Sequence, residues 1–240
     1  KPLALSYGEG GGTRVLMGTN HGYLHMFHDL GESVTESWAY YLPEMLPTLR
    51  ELRLNAQTGG HTVYGVDGAV SAWVMDADAD GNIERPDDKV WAFFGLRRGG
   101  RAYFALDISD PDAPKKMWSV SHTDPGMSEL GQSWSEPVVT RVPGIEAPVI
   151  IIAGGYDSNK DNAGIGTPDS MGRAVFILDA ESGDIVHRFT ATESTTIGIT
   201  RFPATDSLAT KVSIMDTDGD SVTDRFYAVD TGGNVWRFDL

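Results

Sequence analysis

Asp216, Asp218, Asp220 and Asp224 occupy positions 1, 3, 5 and 9 of the loop "DTDGDSVTD", set between two runs that read as strands. Alternate residues of a tight, curling loop turn their side chains inward. The carboxylates then converge on one point, and the Val222 carbonyl at position 7 can add a neutral oxygen. A hard, all-oxygen set suits Ca²⁺, which accepts six to eight ligands at about 2.3–2.6 Å, better than Mg²⁺, which keeps several waters. Without a cation, carboxylates this close repel one another, and Gly219 allows the bend. The competing reading is a polar turn, because Asp-rich turns satisfy backbone donors where strands end. The complete D-x-D-x-D-x-x-x-D spacing favours the cation site and leaves the turn open.

The loop "DADADGNIERPDD" repeats the pattern with Asp76, Asp78, Asp80, the Asn82 carbonyl at position 7 and Glu84 at position 9. Gly81 stands at position 6, as in an EF-hand loop, and Asp87 at position 12, although no helical pattern flanks the segment. Its D-x-D-x-D-G-x-x-E form is also similar to the calcium loops of integrin-like propeller repeats. With Arg85 and Lys89 beside it, a solvated acidic hairpin is the alternative.

Other reactive side chains do not assemble into a site. His21, His25 and His28 are spaced for one face of a helix, but "GYLHMFHD" looks extended, and on a strand His28 faces away from the other two. Ser133 and Ser135 lie near Glu136 without a nucleophile elbow. The glycines of "GEGGGT" and "RRGGR" precede no helix and read as turns, not phosphate cradles. Quinone-dependent dehydrogenases also use propellers and hold calcium through their cofactor, but that family carries an adjacent cysteine pair, and cysteine is absent here. The expectation is a protein that is not an enzyme.

Composition narrows the partners. The 240 residues carry a formal charge of −15, and the only cluster of basic residues is "LRRGGR", Leu96 to Arg101. Such a chain is repelled by nucleic acid and by anionic membrane surfaces, whereas divalent cations are natural partners. The absence of cysteine excludes disulfides and thiolate zinc sites. No apolar run approaches the roughly 20 residues of a membrane span. The chain begins with Lys1 and without a signal peptide, so it reads as an interior piece of a longer precursor.

The elements that must position the acidic loops are short strands rich in Val, Ile, Phe, Tyr and Trp, separated by Gly, Asp and Asn turns. One short helix is expected within "LPEMLPTLRELRL", limited by its prolines to a turn or two after Pro47. A loose repeat pairs an aromatic strand ending in Asp with a Gly-containing turn and a second aromatic strand: "FALDISDPDAPKKMWSV", "FILDAESGDIVHRF" and "YAVDTGGNVWRFDL", with "MGTNHGYLHMFHD" opening the series. Units of this sort predict an all-β fold, a β-propeller of antiparallel-sheet blades that bury their faces against one another; a sandwich is the alternative. Residues 1–240 are expected to form one partial propeller domain of roughly four blades. The unsatisfied edge at "WRFDL" suggests that blades continue beyond Leu240.

The motifs together resemble the C-terminal β-propeller domain of the PilC/PilY proteins of bacterial type IV pili. The resemblance runs in order through "GTNHGYLHMFHD", where His21 replaces the family's usual Asp, then "AYYLPEMLPTL", "YGVDGAV", "VWAFFGLRRGGRAYFALDISDP", "SEPVV", "GGYDS" and "DRFYAVDTGGNVWRFDL". It implies a modified propeller exported to the pilus tip, cell surface or outer membrane of a Gram-negative bacterium. There it would act with major or minor pilins and with host or abiotic surfaces in pilus biogenesis, adhesion and twitching motility. It also implies a calcium loop at Asp216 to Asp224, with Val222 giving its carbonyl. The expected function is a propeller whose Ca²⁺ occupancy regulates pilus extension and retraction. A surface adhesin whose calcium is purely structural is the alternative, and a quinone-dependent dehydrogenase ranks behind both. "RRGGR" is not an Arg-Gly-Asp motif, so integrin binding is not implied.

Overall fold

The protein is described by a computed structural model covering residues 1–8, 10–54, 63–161, 168–191 and 198–240. Among the described residues, sixteen strands form four sheets in chain order. The first contains β1 (Leu3–Tyr7), β2 (Gly12–Gly18), β3 (Tyr23–Asp29) and β4 (Val34–Tyr41). The second contains β5 (Val70–Met75), β6 (Lys89–Gly95), β7 (Ala102–Asp107) and β8 (Lys115–Ser121). In the third, β9 (Val138–Val142), β10 (Ile145–Ala153), β11 (Ala174–Asp179) and β12 (Ile185–Thr190) are joined by β13 (Ile199–Arg201), the one parallel partner. The fourth contains β14 (Ser213–Met215), β15 (Arg225–Val229) and β16 (Val235–Asp239). Every other ladder is an antiparallel meander, as short strands joined by tight turns require. Among the described residues the helical content is a 3₁₀ turn at Pro43–Met45 and α1 (Leu49–Leu54), both placed by the prolines, and a further 3₁₀ turn at Ser158–Asp161.

The central strands explain how the sheets stack. On β6, Val90, Ala92 and Phe94 pack with the first sheet, while Trp91 and Phe93 pack with the third. On β10, Ile150 and Ile152 face the second sheet, and Val149, Ile151 and Ala153 face the fourth. Because side chains alternate across a strand, a strand buried on both faces is apolar throughout, which is why "KVWAFFG" and "VIIIA" show no polar alternation. Three core clusters therefore lie between consecutive sheets, which is the packing of propeller blades.

The repeat differs in register from the sequence expectation. The β15–β16 turn meets the β10–β11 loop through the bonds from Thr231 N–H to the Ser207 carbonyl and from Leu208 N–H to the Gly172 carbonyl. The β14–β15 loop lies instead at the β9–β10 end, where Thr223 N–H donates to the Arg141 carbonyl. Hence "YAVDTGGNVWRF" matches "MGTNHGYLHMF" and the β6–β7 hairpin, not the β7–β8 and β11–β12 hairpins. An aspartate closing a strand marks both kinds of turn: Asp179 takes the Glu181 and Ser182 amides, and Asp230 takes that of Asn234.

Candidate metal centre

Both acidic loops join the first and second strands of a sheet, β5 to β6 and β14 to β15. In the β14–β15 loop, Asp216 accepts the Gly219 amide on Oδ1 at 2.7 Å and the Ser221 amide on Oδ2 at 2.8 Å. Asp218 accepts the Asp220 amide, Asp220 accepts the Val222 amide, and Asp224 receives the amide and hydroxyl of Thr217. Asp216, Asp218 and Asp220 thus curl the backbone two to five residues on, which is Asx-turn chemistry applied in succession, while Asp224 reaches seven residues back to close the loop. Gly219 (φ 84°) and Ser221 (φ 67°) take the left-handed conformation that this curl needs.

The curl brings oxygens of Asp216, Asp218 and Asp224 within 4.8 Å of one another. Asp220 falls outside that group, with its Oδ1 held by the Val222 amide. Electrostatics records the crowding. The Gly219 and Ser221 amides hold the Asp216 carboxyl below the usual range, and the Thr217 hydroxyl and amide do the same for Asp224. For Asp218, the Asp220 amide pulls downward, but the Asp220, Asp224 and Asp216 carboxylates and desolvation outweigh it and push the group up. A divalent cation would relieve that repulsion.

The β5–β6 loop repeats the bonds of positions 1, 3 and 5 and differs in the one that closes it, since the amide at position 2 goes to Asp88 and not to position 9. Asp76 accepts the Ala79 and Gly81 amides, Asp78 that of Asp80, and Asp80 that of Asn82, with Ala79 (φ 60°) and Gly81 (φ 87°) left-handed. Oxygens of Asp76, Asp78 and Asp80 come within 4.8 Å of one another. Glu84 lies outside the group, and its carboxylate packs against Gly8 of the β1–β2 turn. The Gly81 amide leads in holding Asp76 low, whereas for Asp78 repulsion from Asp80 and Asp76 with desolvation overcomes the Asp80 amide and raises it. The residue that sequence reasoning missed is Asp88, which is 4% exposed and accepts the amides of Ala77 and Glu84, so it closes the loop from below. Only its place after the D-x-D-x-D run, beside Asp87, could have signalled it.

The remaining candidates resolve into structural roles. His21 sits in the turn before β3, while His25 and His28 point to opposite faces of that strand, and His25 pairs with Glu36 at 3.3 Å. The Ser133 hydroxyl accepts the Leu96 amide, Ser135 accepts the Ala153 amide, and Glu136 pairs with Lys211. Among the described residues no helix is long and apolar enough to cross a membrane.

Residues 7–240 match the family model described as the PilY1 beta-propeller domain. The chain is 32% identical, over 95% of its length, to the type IV pilus biogenesis factor PilY1 of Pseudomonas aeruginosa, and 28% identical, over 94%, to a PilY1 homolog of Xylella fastidiosa. It spans 17% and 14% of those proteins. The crystal structure of the Pseudomonas aeruginosa PilY1 C-terminal domain superposes with a TM-score of 0.62 at 28% identity, covering 95% of this chain and 38% of that one.

Proposed function

The chain belongs to the PilY1 beta-propeller domain family, and on that premise we propose that it is a calcium-binding part of a type IV pilus biogenesis factor and adhesin. Its matched relatives are type IV pilus biogenesis factors, and none is described as an enzyme. We place the protein outside the cell, at the pilus tip, cell surface or outer membrane of a Gram-negative bacterium. There it would meet pilin subunits and host or abiotic surfaces. As the chain spans 17% of its Pseudomonas aeruginosa relative, the propeller is taken to continue in a longer protein.

The observation that carries the metal reading is the convergence of Asp216, Asp218 and Asp224 around a loop with no basic side chain inside it. Asp218 Oδ2, Asp220 Oδ2 and Asp224 Oδ1 accept no hydrogen bond within the loop, so they keep lone pairs for a cation. With Asp216 and the Val222 carbonyl, they supply the oxygens that Ca²⁺ favours. Asp76, Asp78 and Asp80, with the Asn82 carbonyl, are the matching candidates for a second site, and Glu84 at position 9 would have to turn in from outside their group to join them.

Bound Ca²⁺ would neutralise the carboxylates and fix the loop, which is tied to the third sheet through Thr223 and Thr140 at 2.6 Å. In this reading occupancy biases the pilus between extension and retraction, and so twitching motility and attachment. Binding moves such an equilibrium only by its differential affinity for the two states. The Thr223–Thr140 tie also suits the second reading, a purely structural metal that holds two blades together. Calcium titration of the purified protein by calorimetry, with Asp216→Ala and Asp224→Ala, tests the site. Full affinity in both variants would refute it. A folded calcium-free protein with altered pilus retraction favours the switch, and unfolding on chelation favours the structural metal.

A further inference from the structure

The one basic cluster of this acidic chain lies at the opposite end of the sheets from the acidic loops, in the β6–β7 turn. The Arg97 guanidinium sits 4.5 Å from the centre of the Trp134 ring, and that of Arg98 lies 5.4 Å from Trp134 and 5.1 Å from Tyr64. Tyr156 packs on Trp134 at 4.9 Å. All three aromatic side chains are half-buried and Arg98 is exposed, so rings and cations share one surface.

That surface is held by hydrogen bonds on both sides of the contact. Arg97 N–H donates to the Ser133 carbonyl, Ser133 N–H donates to the Gly100 carbonyl, and the Ser133 hydroxyl bridges the Leu96 amide and the Gly100 carbonyl. Trp134 Nε1 donates to the Gln132 side chain at 3.0 Å, which satisfies the indole and fixes the ring. Arg97 itself has φ 52°, a conformation unfavourable for a residue with a side chain, although Gly99 and Gly100 stand beside it.

The donors are largely unspent. Arg97 faces one carboxylate, Asp67, at 3.6 Å, beyond hydrogen-bond range, and Arg98 makes one bond, to the Tyr64 hydroxyl at 3.1 Å. Stacked guanidiniums keep their edges open as forks that match a carboxylate bidentately, with little ordering left to undergo on binding. Trp, Tyr and Arg are also the residues enriched where protein interfaces concentrate their affinity.

We propose that Arg97 and Arg98, shelved on Trp134 and Tyr64, form a docking site for an acidic segment of a protein partner, whose carboxylates meet the guanidiniums and whose apolar side chains lie on the rings. The chain's charge of −15 opposes a long polyphosphate or an anionic membrane, which would bring many charges at once, far more than a short segment with a few carboxylates.

The test titrates the intact protein with a short fluorescent peptide alternating glutamate and tyrosine, and with its glutamine-for-glutamate counterpart. Saturable binding of the first and not the second is expected, weakened at least about tenfold by Arg98→Gln and by the Arg97→Gln, Arg98→Gln pair. Arg98→Lys should be nearly as weak, since an ammonium keeps the charge and loses the fork. Arg98 is exposed, so its variants should keep the fold, and an unchanged unfolding midpoint verifies that. The proposal is overturned if the glutamate peptide does not bind, if the glutamine peptide binds equally, or if Arg98→Lys retains full affinity. It is equally overturned if phosphatidylserine vesicles or inorganic phosphate bind through these arginines more tightly than the peptide.

Discussion

Asp76 and Asp216 stand in different sheets and hold their loops by the same pair of hydrogen bonds, from the amides of the third and fifth residues that follow each of them. In each case the two donors are also the two left-handed residues. Two loops with one backbone conformation and one topological place are best explained by one task. The calcium reading therefore applies to both, even though only the β14–β15 loop has a carboxylate of position 9 within its group.

Chelation should consequently lower stability in proportion to the calcium that had been bound. At free calcium about 100-fold above Kd, each site adds about 2.7 kcal/mol if the unfolded chain does not bind the ion. For a chain of this size that raises the midpoint by roughly 5–10 °C per site. Differential scanning calorimetry with and without chelator reads the shift. A midpoint that does not move with calcium would exclude both loops together.

Asp88 separates the two loops experimentally. It holds the Ala77 and Glu84 amides of the β5–β6 loop and touches nothing in the β14–β15 loop. Asp88→Ala leaves two part-buried donors without partners, a loss of about 1–3 kcal/mol. Calcium binding should fall from two sites to one in a calorimetric titration, the survivor being the site that Asp224→Ala removes. Two intact sites in Asp88→Ala would show that the loop does not depend on this bracket.

Much of this was legible in the sequence, and the omissions have physical reasons. Apolar alternation with Gly and Asp turns indicates the strands, and the unbroken apolar run of "VIIIA" indicates a strand covered on both faces, because local pattern and burial agree there. Position 1 of each acidic loop is legible because Asx-turn geometry is local. Asp88 is not, since its partners are eleven and four residues away and nothing local requires them. The register of the last hairpin is hidden because Asp179 and Asp230 use the same side-chain chemistry to close turns at opposite ends of their sheets. Trp134 meets Arg97 only through a loop that pairs with the β6–β7 turn.

Asp157 should dominate part of the acid response. It is 1% exposed and lies within the β10–β11 loop. Burial pushes its carboxyl up, but the Asn159, Ser170 and Met171 amides and the Ser170 hydroxyl outweigh this and hold it below the usual range. A carboxyl depressed by folding contributes stability above its unfolded value of about 4, and the contribution is lost as pH falls through the lower folded value. Asp157→Asn should flatten the loss of stability below about pH 4 in urea titrations. An unchanged slope would mean that other carboxylates carry it.

Gly68 tests the close stacking of the turns. It precedes β5, and a Cβ there would land on the Gly95 carbonyl oxygen at the end of β6, a backbone atom that cannot rotate away. Gly95 is itself confined, since a Cβ on it would meet the Ser133 carbonyl at 2.7 Å. Relief would therefore require the second sheet to shift against the segment that leads to the third. Overpacking of this kind costs about 1–3 kcal/mol, occasionally more, and here it acts on the turn that carries Arg97. Gly68→Ala should lower the unfolding midpoint and weaken acidic-peptide binding together, whereas Gly10→Ala, strained by its φ of 86° but in the distant β1–β2 turn with open space around it, should lower the midpoint and leave peptide binding intact. Equal peptide affinity in Gly68→Ala and the unaltered protein would show that the β6–β7 turn keeps its shape without this contact.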